Sequence, residues 1–329
     1  SAHNDWINGC AWSDIGDFIV TCSNDFNLKL WDVKTGDEKV TFTGHMSAVS
    51  DVAFKHGCVV SSCCDGTVKV WSQKGTEITT LHGHSGMVNS CDIYIKLKPE
   101  DAEPETTDWA TMAAEEEWKE QHDKNKMDKK SRLDDVLAVT GADDGTARIW
   151  RPLLGNELNC LTGHSDRVTS VAVTSQGNIV TSSLDLTLKT WLPIEAQLEG
   201  KAGHVQMFEA HDGEISALAT WSDIGVDWMV SGSRDGIVKL FRFDAPNQVP
   251  TCLATIQAHQ LAVTDACYCG QKVFATASAD GNIVLWRILT RGQGASIKKR
   301  SVLLGKDGPV SSVHCLSDKP LQLLSTSWK

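Results

Sequence analysis

Histidine, a side-chain hydroxyl and an aspartate are the groups from which a hydrolase builds a proton relay, and this chain of 329 residues carries the set six times. The histidines are His3, His45, His84, His164, His211 and His259. The hydroxyls are Thr21, Ser61, Thr140, Thr181, Ser231 and Thr276, each four residues before an aspartate: Asp25, Asp65, Asp144, Asp185, Asp235 and Asp280. Six residues after each aspartate stands an aromatic: Trp31, Trp71, Trp150, Trp191, Phe241 and Trp286. From histidine to aromatic the spacing is 26–30 residues in five copies and 66 in the third. Four chemical types in fixed order, repeated six times, mark a repeat architecture, so the quartets are read as structural units and not as reaction centres. The aspartate can hold one imidazole N–H, and the other imidazole nitrogen can meet the hydroxyl, which also accepts from the indole. Outside the repeat there is no glycine-rich phosphate loop, no H-E-x-x-H and no G-x-S-x-G, so no enzyme, cofactor, metal site or small-molecule substrate is expected.

The elements that hold the quartet are strands. In the second copy, segments at 49–54, 58–62 and 67–71 alternate with period two, separated by turn residues such as His56-Gly57 and Asp65-Gly66. A shorter fourth segment runs from Glu77 to Leu81. Each copy therefore predicts one four-stranded antiparallel sheet. A sheet this small buries its faces only by stacking on its neighbours, as in a seven-bladed β-propeller. Phe241 has no indole donor, which predicts an incomplete fifth network. A seventh, degenerate copy begins at Gly305-Lys306, continues through strands at 310–315 and 321–326, and stops before its aspartate turn. The seventh blade is expected to lack its last two strands, and the sequence to be part of a longer chain. Between the first and second strands of the third copy lies an insertion at 97–134 with twelve acidic and seven basic residues, read as partly helical.

Composition agrees with one all-β domain over 1–329. No apolar run nears the ~18 residues that span a membrane, and no signal peptide is expected from the opening residues. Eleven cysteines without C-x-x-C spacing predict reduced, buried thiols. A net charge of −11 argues against a general nucleic-acid surface. A cytoplasmic or nuclear location is expected.

The sequence resembles the WD40-repeat family, with Gly-His at 44–45, 83–84 and 163–164 and Trp31-Asp32 as an intact closing dipeptide. Alanine replaces the glycine before His3, His211 and His259. Within that family, DWINGCAW at 5–12, GHMSAVS at 44–50, DGTVKVW at 65–71, QKGTE at 73–77, HSG at 84–86, GTARIW at 145–150 and PLL at 152–154 are similar to one group. That group is the C-terminal propeller region of the large ribonucleoprotein subunits of telomerase and vault particles. The resemblance implies a non-enzymatic scaffold that binds a protein or peptide at the channel mouth, with RNA reached through the parent ribonucleoprotein. By the repeat register, three positions per blade line that mouth: three and five after the histidine, and one before the aspartate. The residues chosen from them for partner contact are Trp6, Asn8, Met87, Asp143, Arg167, Glu214, Arg234 and Trp328. The five-after position is always small and polar, a sign of blade geometry. Two further readings remain: an autoinhibitory sensor propeller of an apoptosome- or NACHT-type ATPase, and direct RNA binding through Arg167, Arg234 and the basic residues at 298–300, taken as a loop.

Overall fold

A computed structural model describes residues 3–96, 136–198, 204–223, 225–243, 250–292, 294–304, 308–316 and 322–327. Six four-stranded antiparallel sheets and one two-stranded sheet follow one another along the chain. Blade 2 shows the plan: Val49–Lys55, Cys58–Cys63, Val68–Ser72 and Glu77–Leu81, paired in that order. The innermost strands are Ile7–Trp12, Val49–Lys55, Val88–Ile95, Val168–Val173, Ile215–Asp223, Val263–Tyr268 and Val310–Leu316. Each packs beside the next, and the seventh packs beside the first, so the strands close a ring around a central channel. The seventh sheet has only Val310–Leu316 and Gln322–Ser327 among the described residues, as expected from the sequence. The insertion at 97–134, residues Gly305 and Lys306, and Trp328 lie outside the described residues.

The core follows from this stacking. It is divided into layers, one between each pair of successive blades. Between blades 1 and 2, for example, Val20, Leu28, Leu30 and Phe42 meet Val52, Phe54, Val59 and Trp71. Each such side chain contributes about 1.5–3 kcal/mol on full burial. The period-2 alternation of the strands delivers these residues to the interblade faces.

A bulge recurs at the start of every innermost strand, leaving Asn8, Ser50, Asn89, Thr169, Ser216, Thr264 and Ser311 as the extra residue. A bulge re-aims the side chain it carries. Here the side chain is turned sideways onto a carbonyl of the next blade. Asn8 Nδ2 donates to Val49 O at 2.8 Å, Ser50 to Val88 O at 2.5 Å and Asn89 to Val168 O at 2.8 Å. Thr169 reaches Ile215 O at 2.7 Å, Ser216 reaches Val263 O, and Thr264 reaches Val310 O at 2.7 Å. Ser311 closes the circle on Ile7 O at 2.7 Å. Seven small polar residues thus stitch seven blades, which explains their regular chemistry in the sequence.

Two expectations need correction. Cys269 and Cys315 form a disulfide, with Cα atoms 5.0 Å apart, while the other nine cysteines are free. The end of blade 6's innermost strand runs beside blade 7's, and this brings together two residues 46 apart in sequence. The residues at 298–300 are not a loop: they belong to Gly294–Leu304, which pairs with Asn282–Arg291 as the outer strand of blade 6. Ala295 and Ile297 alternate inward against the blade 5–6 layer, and that contact extends the hairpin.

Candidate functional site

The six quartets were the first candidates for chemistry. In blade 1, His3 Nδ1 lies 2.8 Å from Asp25 Oδ2, His3 Nε2 lies 2.8 Å from Thr21 Oγ1, and Trp31 donates to the same hydroxyl at 3.0 Å. Blades 3, 4 and 6 repeat this arrangement with His84, His164 and His259, at 2.8–3.1 Å from Asp144, Asp185 and Asp280. Thr140, Thr181 and Thr276 take both the imidazole and the indole of Trp150, Trp191 and Trp286. Burial works to raise the Asp144 and Asp185 carboxyls, but hydrogen bonds outweigh it and hold both down at about 2; Thr146, Ser85 N and His84 supply them for Asp144, Thr187 and His164 for Asp185. In these four blades each hydroxyl is engaged on both sides, which leaves no nucleophile facing open space.

Blades 2 and 5 depart from the pattern. His45 Nε2 meets Ser61 Oγ at 2.7 Å and Trp71 donates to Ser61 at 2.9 Å, but His45 Nδ1 stands 3.9 Å from Asp65. His211 Nε2 meets Ser231 Oγ at 2.6 Å, and Phe241 supplies no donor. Both Nδ1 atoms are buried without a hydrogen-bond partner among the described residues. Burial pushes both imidazoles down to about 4. Of the six quartets, those of blades 2 and 5 are the ones with serine in the hydroxyl slot. Threonine's branched Cβ restricts where its hydroxyl points, a restriction that serine lacks.

The mouth register is visible in the backbone. The residue before each aspartate donates its N–H to the carbonyl three after the histidine: Asn24 to Trp6, Cys64 to Ala48, Asp143 to Met87, Leu184 to Arg167, Arg234 to Glu214 and Ala279 to Ala262, all at 2.8–3.0 Å. Among the residues chosen from sequence, Trp6 and Met87 are each half exposed. Asn8 is tied to Asn24 and to the seam. Asp143 accepts from Asn89 at 2.9 Å and pairs with Arg167 at 3.3 Å. Arg234 pairs with Glu214 at 2.5 Å. The two guanidiniums are therefore taken up within the ring.

Sequence reasoning missed three features. After the turn aspartate, four blades carry glycine with positive φ: Gly66, Gly145, Gly236 and Gly281. Blades 1 and 4 place Phe26 (φ 70) and Leu186 (φ 69) there, a left-handed conformation that is strained for bulky side chains, and both are exposed. The break from Asp-Gly to Asp-Phe and Asp-Leu was the available signal. Met46, 86% exposed, sits on the loop of blade 2 that follows blade 1. The third feature is a channel cavity of about 470 Å³ lined by the middle and far ends of the innermost strands, away from Trp6 and Met87. Its lining includes Trp12, Trp221 and Tyr268, the last two stacked at 4.6 Å, and two buried carboxyls. Burial pushes Asp51 up to about 7 and Asp265 up to about 6, even though they accept Cys91 N and Val313 N of the following blades.

Comparison with known proteins agrees with this geometry. A family model described as WD domain, G-beta repeat matches residues 1–32, 36–72, 155–191, 203–242 and 250–287, more than half of the chain. The unmatched stretches hold the interrupted third blade and the two-stranded seventh sheet. The chain is 27% identical over 292 residues to telomerase protein component 1 of Rattus norvegicus and 28% over 289 residues to that of Mus musculus. Each match covers 88% of this chain but only 9% of the relative, so the chain spans less than a tenth of those proteins. It is also 25% identical over 268 residues to a guanine nucleotide-binding protein subunit beta of Zea mays, covering 76% of this chain and 60% of that one. No helix among the described residues is long and apolar enough to cross a membrane. With seven successive sheets, recurring His–Asp–hydroxyl–Trp units and a matching family model over most of its blades, the chain belongs to the WD40-repeat family, whose propellers generally serve as non-catalytic interaction scaffolds.

Proposed function

We propose that the face bearing the histidine loops binds a protein partner. Trp6, Phe26, Met46 and Met87 act as apolar anchors over blades 1 to 3, and the paired Asp143–Arg167 and Glu214–Arg234 form a polar rim over blades 3 to 5. The observation that carries this reading is the exposure of four large apolar side chains on one face, one of them at φ 70 where four other blades use glycine. Exposed apolar side chains grouped inside a charged border are the usual anatomy of a binding patch. Similarity to telomerase protein component 1 supports a place within a large ribonucleoprotein-associated protein. RNA would then be held by other parts of that protein, because the arginines that would grip phosphate here are neutralised by carboxylates.

The test is the double variant Trp6→Ala, Arg167→Ala. Surface changes of this kind alter stability by about 0.5 kcal/mol or less, so the melting temperature should hold. Loss of a central aromatic anchor costs about 2 kcal/mol or more of binding, so captured partner, quantified by mass spectrometry, should fall by about tenfold or more. Unchanged capture, or an unfolded variant, would overturn the assignment.

A further inference from the structure

Blade 2 holds an arrangement found in no other described blade. The residue two before the turn aspartate is serine in blades 1, 4, 5 and 6 and alanine in blade 3, but Cys63 in blade 2. The Cys63 thiol is free and buried, and with His45 and Asp65 it forms a cluster whose ligand atoms, one from each residue, are all within 4.8 Å of one another. His45 Nδ1 is the orphaned atom of this cluster, on a side chain with 0% exposure. In the four complete blades the corresponding nitrogen is 2.8–3.1 Å from its carboxylate, whereas here the separation is 3.9 Å. That gap is too wide for a hydrogen bond. It is close to the separation of about 3.3–3.7 Å between two ligands on one tetrahedral zinc ion with bonds of about 2.0–2.3 Å.

We propose that His45 Nδ1, Cys63 Sγ and Asp65 Oδ2 form a three-ligand site for a divalent cation of the zinc class, with its fourth position open to solvent. A nitrogen, a thiolate and a carboxylate are the donors zinc takes. For Nδ1 to coordinate, it must offer a lone pair, so Nε2 must carry the proton and donate to Ser61. Ser61 can accept that bond because its own hydroxyl hydrogen has another acceptor, Lys69 O at 3.4 Å. Ser61 then accepts from both His45 and Trp71, and the unit stays satisfied. Binding releases the thiol proton to solvent. The ion with one thiolate, one carboxylate and a neutral imidazole carries no net charge, which suits a site closed on one side. The open position follows from Asp65, whose side chain is 19% exposed beside the solvent-facing Met46 loop. Blade 5 has the same orphaned imidazole nitrogen but Ser233 where the thiol would be. It therefore lacks the site.

The experiment is titration of the reduced chain with Co2+ as a spectroscopic probe for zinc. The expected result is one equivalent bound, with a thiolate-to-cobalt band in the near ultraviolet that Zn2+ displaces. Cys63→Ser installs the residue that four other blades use here, and Ser23, Ser183 and Ser278 donate to the same loop carbonyl that Cys63 reaches. This variant should keep the metal-free melting temperature and lose the band. Asp65→Asn should weaken binding by more than the roughly 10–100-fold typical for removing a merely supporting partner. Absence of the band in the parent chain, its persistence in Cys63→Ser, or its loss only when Cys267→Ser disrupts the other sulfur cluster would overturn the proposal.

Discussion

An imidazole set between a carboxylate and a hydroxyl is the apparatus of a hydrolase, and what distinguishes it here is the third bond. The indole of Trp31, Trp71, Trp150, Trp191 or Trp286 occupies the hydroxyl that would otherwise attack. Protonation of these groups connects them to stability. His45 and His211 titrate near 4 in the folded chain because of burial, below the ~6.5 of an unfolded histidine. The unfolded chain therefore takes up protons first, and stability is lost as pH falls from 6.5 toward 4. Asp144 and Asp185, held at about 2, contribute stability that is present above ~3.9 and lost as pH falls through 2. Asp51 acts in the opposite sense. Burial raises it to about 7, so its protonated form favours the fold and stability declines as pH rises through 7. Urea unfolding at pH 5 and pH 8 should show Asp51→Asn gaining stability relative to the parent chain as pH rises. An equal change in both would mean that this carboxyl is ionised and satisfied at both values.

At the scale of elements, the strands and their order were legible because five of the six quartets close within 26–30 residues, the third being stretched to 66 by its insertion, and the alternation within each strand is local. The uniformly small, polar five-after position was visible too. Its partner was not, because the acceptor lies on the next blade: Val49 O for Asn8, Ile215 O for Thr169, and, across the ring, Ile7 O for Ser311. The Cys269–Cys315 bond was hidden for the same reason, since neither spacing nor composition tells which innermost strands will be neighbours. The bulge gives these residues a measurable role. Thr169→Val keeps the side chain's shape but leaves Ile215 O without its donor. It should cost about 1–3 kcal/mol in urea unfolding, the penalty for stranding a buried acceptor. No change in midpoint would show that water replaces the hydroxyl and that the stitch is incidental.

For the molecule as a whole, the blades form a closed circle although the seventh sheet has two described strands, because closure needs only the innermost strand. Val310–Leu316 offers Ser311 to blade 1 and receives Trp12 Nε1 on His314 O at 3.3 Å. The candidate partner face was partly legible: Trp6 and Met87 followed from the register. Phe26 and Met46 did not, since nothing in the repeat marks which turn will project a side chain. The far-end cavity with Asp51 and Asp265 escaped as well, because it exists only once seven strands converge. The central claim is that the polar quartets hold each blade's entry loop, strands and turn together and do no chemistry. Its most direct test is a series of six single variants, His3→Ala, His45→Ala, His84→Ala, His164→Ala, His211→Ala and His259→Ala, measured by metal-free urea unfolding. The cavity left is similar in each, so the differences isolate the carboxylate bond. Every variant should be less stable than the parent, and those at His3, His84, His164 and His259 should lose about 1–3 kcal/mol more than those at His45 and His211. Six equal losses, or none, would contradict the account.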